Sequence, residues 1–200
     1  MLTHLQAKTI ADAIPGITPN GSFLVRLVGF AESQYGAGFT EHPEANNWGS
    51  VTAGPAWKGE TFPHEDSRYD EASGKVVPYV TAFRAHVSPA AGAADLWRVL
   101  RSDHGRTVAA AERGDWSSVA AELRETKYYL GKKPKPQAIA DYDRALRRAA
   151  RQITRATGEV DPFGGLSRAT GMALGSVLGL TGILFVVGSL RTPRRRARAA

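Results

Sequence analysis

The residues with the clearest capacity for chemistry lie in the segment Phe30-Ala-Glu-Ser-Gln-Tyr-Gly36. Glu32 closes a strongly apolar stretch, with Phe23, Leu24, Leu27, Val28 and Ala31 at three-and-four spacing, and it precedes a loop carrying Gly36 and Gly38. One side of its carboxyl then faces packed hydrocarbon and the other an open cleft. Desolvation there favours the neutral acid and raises its pKa, which is what a general acid working near neutrality needs. The competing reading is a solvated glutamate at a helix C-terminus, a position the helix macrodipole disfavours for a negative charge. Other chemistries have less to stand on. The histidines His4, His42, His64, His86 and His104 show no ligand spacing, and no phosphate-loop motif occurs. Zero cysteines exclude a thiolate metal site, a cysteine nucleophile and a disulfide scaffold. No metal and no cofactor are implied.

The elements that must hold Glu32 read as helix, helix, loop, hairpin, then helices. Leu2, Leu5, Ile10 and Ile14 predict a short amphipathic helix stopped by Pro15-Gly16, and Thr18-Pro19-Asn20-Gly21 reads as a turn. The Glu32 helix is expected to start at Ser22 as its N-cap. Thr61–Ser67 and Val76–Arg84 are two extended stretches around the polar RYDEASGK, a hairpin with a long connection. Helical periodicity returns with Ala93, Leu96, Trp97 and Leu100, and again with Trp116, Val119, Ala120 and Leu123. A last helix over about 137–157 turns Ile139, Tyr142, Leu146, Ala149 and Ile153 inward and Arg144, Arg147, Arg148, Arg151 and Arg155 largely outward.

The chain's 200 residues, 42% hydrophobic and 22% charged, suit one globular domain with an appendage. The net charge of +7 does not mark a nucleic-acid binder, because Arg191, Arg194, Arg195, Arg196 and Arg198 crowd the end. Without them, 21 basic residues face 19 acidic ones. Residues 169–190 carry no charge, and about 20 helical residues span the roughly 30 Å of a bilayer core, so a single transmembrane helix with an Arg-rich anchor is expected. Gly171, Gly175 and Gly179 fall on one face of it, where a second helix could approach. The Arg-rich tail favours a cytoplasmic C-terminus, which puts the N-terminal domain on the far side facing the wall, yet the first residues lack the apolar core of a signal peptide. Either dedicated machinery carries the domain across, as at a host inner membrane, or the membrane is that of a virion assembled inside the cell.

Taken in order, A-E-S-Q-Y-G, N-N-W-G-S-V, W-K-G-E-T-F, A-F-R-A-H and E-T-K-Y-Y-L-G resemble the lysozyme-superfamily peptidoglycan hydrolases. Within these, the chain looks most like the glucosaminidase and transglycosylase-like domains of bacteriophage lytic proteins and flagellar muramidases, over roughly residues 20–155. The resemblance implies a mainly α-helical (α+β) lysozyme-like domain with a small β-hairpin lobe. Its bounds would be residues 1–157, followed by a linker at 158–168, a transmembrane helix at 169–190 and a tail at 191–200. It also implies Glu32 as catalytic acid, with Asn47, Trp48 and Gly49 in the cleft wall beside the acetamido sugars. Tyr128 and Tyr129 would form an aromatic pair at the cleft floor, and a second carboxylate would sit on the hairpin. For that carboxylate Asp66 is the first choice, then Glu65 and Glu60. Tyr35 and Phe83 are placed either at the cleft or in the core. The expected activity is cleavage of peptidoglycan glycan strands by a membrane-anchored enzyme of phage entry or lysis. The alternatives are a transglycosylase releasing 1,6-anhydro products and a non-catalytic glycan-binding anchor.

Overall fold

The computed structural model describes residues 1–164, so the expected membrane helix, the Gly171/Gly175/Gly179 face and the Arg-rich tail lie outside the described residues. Among the described residues no helix is long and apolar enough to cross a membrane.

Helix α1, His4–Asp12, begins in a capping box in which the Thr3 hydroxyl accepts from Gln6 N and the Gln6 side chain accepts from Thr3 N. It packs through Ala7 and Ala11, both fully buried, while Leu5 is left 58% exposed. Of the predicted face, Leu2, Ile10 and Ile14 do pack against the core and only Leu5 turns outward; the alanines, whose small side chains allow close helix approach, are the part of the face that the spacing did not show. Helix α2, Pro19–Ser33, starts earlier than expected. Thr18 is its N-cap, accepting from Gly21 N at 2.9 Å, and Pro19 occupies the first turn. The Thr-Pro-Asn-Gly run is therefore a helix start, and Ser22 is buried inside the helix. Leu24, Val25, Leu27 and Val28 are all fully enclosed, which makes α2 the central helix of the core.

Strands β1, Thr61–Asp70, and β2, Lys75–Arg84, pair antiparallel with Phe62 opposite Phe83 and Asp66 opposite Tyr79. Both run further toward the tip than predicted. The tip is solvated, so its polar residues keep strand geometry without apolar alternation. Asp70 closes the turn by accepting from Ser73 N, and Gly74 takes the left-handed conformation, φ 68°. At the base, Phe39, Ala45, Phe62 and Phe83 form a small second core.

Helix α3, Pro89–Asp103, buries Ala93, Leu96, Trp97 and Leu100 as the spacing predicts. Helix α4, Gly105–Glu112, was hidden in an alanine-rich run. Trp116–Ser118 form a 3-10 turn ahead of α5, Val119–Glu125, and α6 spans Lys135–Thr157. On α6, Leu146, Ala149 and Ile153 are buried.

The folded unit continues past α6 to Phe163. Arg26 of α2, only 1% exposed, donates from both terminal nitrogens to Glu159, at 2.6 and 2.8 Å. The Phe163 ring lies against Trp116 and beneath the Arg147 guanidinium. Residues assigned in sequence to the linker at 158–168 are thus packed as far as Phe163.

Candidate active site

Helix α2 ends because Gln34 adopts the left-handed conformation, φ 50°, and Tyr35 follows at φ 63°. Ser33 fixes this end. Its hydroxyl lies 2.6 Å from Trp48 O and 2.8 Å from Asn47 O, and accepts from Gly36 N at 2.8 Å. Gly36, at φ 92°, runs so close to the loop that a Cβ there would sit 3.2 Å from the backbone of Asn46 and Asn47. The two most recognisable segments of the sequence therefore hold each other in place, and between them they frame Glu32.

This packing changes the roles expected of the N-N-W-G loop. Asn47 is fully buried and saturates its amide within the fold, donating to Val51 O and Arg84 O and accepting from Val51 N. Trp48 is also fully buried, against Tyr35 at 4.8 Å between ring centroids, and next to Gly29, where any Cβ would stand 3.2 Å from its ring. Gly49 is buried too, and its absent side chain admits Tyr128, whose hydroxyl donates to Gly49 O at 2.5 Å. None of the three presents a surface on which a sugar could rest. They build the wall from inside, and Ser50, at φ 50°, is the first partly exposed residue after them. Tyr35, hydrogen-bonded to His4 at 2.9 Å, and Phe83 are core residues as well.

Glu32 itself is partly exposed but crowded by protein on its remaining sides. Burial pushes its pKa from 4.5 up to about 7, and the negative charge of Asp66 pushes the same way, against the hydroxyls of Tyr142 and Ser50. Tyr142, on α6, donates to Glu32 Oε1 at 2.5 Å. The Glu32 charge and burial raise the pKa of this phenol well above 10, so it stays a donor. Tyr142 stacks on Tyr129, with centroids 4.0 Å apart and planes at 15°, and Tyr129 is anchored through its hydroxyl to Ala120 O. Tyr142 was legible in the sequence only as one inward residue of α6. Its signal was a polar tip on an otherwise apolar row, a residue that must find a partner when buried.

The hairpin supplies Asp66. Its carboxylate accepts from the Tyr79 hydroxyl at 3.2 Å and from Ser67 N at 2.7 Å, and Lys132 Nζ lies 3.4 Å away. Strand alternation puts Glu65 on the opposite face, and Glu60 is exposed ahead of β1, so neither sits where Asp66 does. Asp66 is the one carboxylate whose charge acts on Glu32. The arrangement thus offers a protonatable acid near neutrality, a second carboxylate whose charge acts on it, and tyrosine rings beside them.

No protein-family model matches the sequence, and a search of curated proteins finds no match. Among solved structures, the chain is similar to a peptidoglycan hydrolase mutant from Sphingomonas sp. A1. Identity is 18% with a TM-score of 0.50, over 74% of this chain and 99% of that one. It is also similar to a C-terminally truncated glycoside hydrolase domain of FlgJ from Salmonella typhimurium, at 19% identity and a TM-score of 0.44, over 77% of this chain and 93% of that one. The first likeness shows a shared fold, helical with a small β-hairpin, in agreement with the α+β reading of the sequence.

Proposed function

We propose that this protein is a glycosidase that cleaves the glycan strands of peptidoglycan, with Glu32 as general acid. The observation that carries the reading is Glu32 itself, held at the end of a buried helix with its pKa raised to about 7 and the charge of Asp66 acting on it. The fold it shares with a named peptidoglycan hydrolase supports the substrate. Glu32 delivers its proton to the departing glycosidic oxygen, and Asp66 stabilises the oxocarbenium-like charge that develops on the sugar, as nucleophile or as base for water. Tyr142 orients the Glu32 carboxyl, and Tyr79 and Lys132 orient Asp66. Residues 169–190 are read as a membrane anchor on composition alone, and a tethered wall hydrolase suits a protein that carries a virion through the wall or lyses its host.

Glu32→Gln keeps the shape of the side chain but cannot deliver a proton, so clearance of cell-wall suspensions should fall at least ~100-fold with the circular dichroism spectrum unchanged. Near-parental clearance would remove Glu32 from the mechanism. Mass analysis of the muropeptides released by the parent identifies the bond cut, and 1,6-anhydro ends would assign the reaction to transglycosylation.

A further inference from the structure

A cavity of about 330 Å³ opens between the C-terminal half of α2 and α6, and Glu32 is part of its lining. Its floor is small and apolar, with Ala145 and Ala149 of α6. Its polar rim holds Gln34, Arg148 and Gln152, all exposed. Arg144 and Arg147 pair with Asp141 and Asp143, but Arg148 forms no ion pair among the described residues. Glu32 is the only acid in the lining. The cavity is thus a recess with an exposed guanidinium and two amides, and Glu32 is part of its lining. Its volume is at the small end of ligand sites and suits a short peptide arm.

Peptidoglycan carries such arms: its alternate sugars bear short stem peptides through their lactyl groups, and those peptides present carboxylates and amides. A planar guanidinium is the group best fitted to a carboxylate, which it binds bidentately, and glutamine amides pair with peptide bonds. We propose that Gln34, Arg148 and Gln152 form a subsite for a carboxylate of the stem peptide, so that the enzyme reads the peptide substitution of the strand it cuts. This rests on the glycan-cleaving reading of the same site. The backbone supports the placement, because two consecutive non-glycine residues in the left-handed region, Gln34 and Tyr35, turn the chain at the rim of this cavity.

The test uses the full-length protein and two substrates, peptide-bearing glycan strands and the same strands stripped of peptide by an amidase. The ratio of kcat/KM for the bearing over the stripped strand should drop about tenfold in Arg148→Gln, mostly through KM, as befits loss of a charge-assisted hydrogen bond. It should drop less in Gln152→Ala. Arg151→Gln, which changes an exposed arginine outside the cavity, is the control and should leave the ratio as it is. An unchanged ratio in Arg148→Gln overturns the subsite while leaving glycan cleavage standing. Failure of the parent to cut either substrate overturns the glycan-cleaving reading instead. The subsite is then decided by the same ratio measured as Kd on Glu32→Gln protein with and without the Arg148 change, where an unaltered ratio rejects it.

Discussion

At the scale of single residues, the site is an arrangement of opposed influences on one proton. Asp66 raises the pKa of Glu32 and the Tyr142 hydroxyl lowers it. A general acid works in its protonated form, so under the proposed mechanism the alkaline fall of the rate profile should follow the Glu32 pKa. Asp66→Asn should therefore move that fall to lower pH, besides lowering the rate, and Tyr142→Phe should move it to higher pH. A pH profile of each variant checks this, and shifts in the same direction would refute the assignment. Glu32 also links pH to stability. Its folded pKa of about 7 exceeds its ordinary 4.5, so between those values the native state holds a proton that the unfolded chain has released. Stability is then lost as pH rises through that window and stays lower above it. Glu32→Gln, which never ionises, should be more stable than the parent at pH 8 by about 1–3 kcal/mol and similar to it at pH 4, as urea unfolding at the two pH values would show.

At the scale of elements, the clamp between α2 and the segment after α6 is the most exposed to a single change. Glu159→Ala strands the buried Arg26 guanidinium and should cost about 2–4 kcal/mol, while Arg26→Met added to it should recover much of the loss. A urea-unfolding loss below about 0.5 kcal/mol would show that water replaces Glu159 without difficulty. The elements themselves differed in how plainly they could be read. Helices α3 and α6 bury large aliphatic residues at helical spacing, so their faces were legible. Helices α1 and α4 pack largely through alanines, which carry little hydrophobic contrast, and so the alanine part of the α1 face and the whole of α4 were missed. Glu32 was legible because local sequence alone put an acid between hydrocarbon and a glycine loop. Trp48 was not, since a flat aromatic in a loop suits a sugar and a core equally, and only the absent side chain of Gly29, 19 residues earlier, decides for the core.

At the scale of the whole molecule, the chemistry and the proposed tether should separate. A chain ending at Gly165 keeps Arg26–Glu159 and Phe163 and every candidate site residue, so it should stay in solution and still cut glycan. The full-length protein should sediment with vesicles and resist extraction by 1 M salt, which screens the arginines of the tail but not an inserted apolar helix. Release by salt alone would make residues 169–190 peripheral and leave the site untouched.

The packing of Phe163 has a consequence for where such an enzyme could act. With the folded body reaching Phe163, only residues 164–168 remain before the uncharged run, and five residues extend no further than about 18 Å. Were residues 169–190 the proposed membrane anchor, a catalyst on so short a leash would digest only a thin shell of wall next to that bilayer, its depth of action set by chain length and not by affinity. Inserting a flexible glycine-serine stretch after Phe163 should thicken that shell without changing the turnover of a single bond.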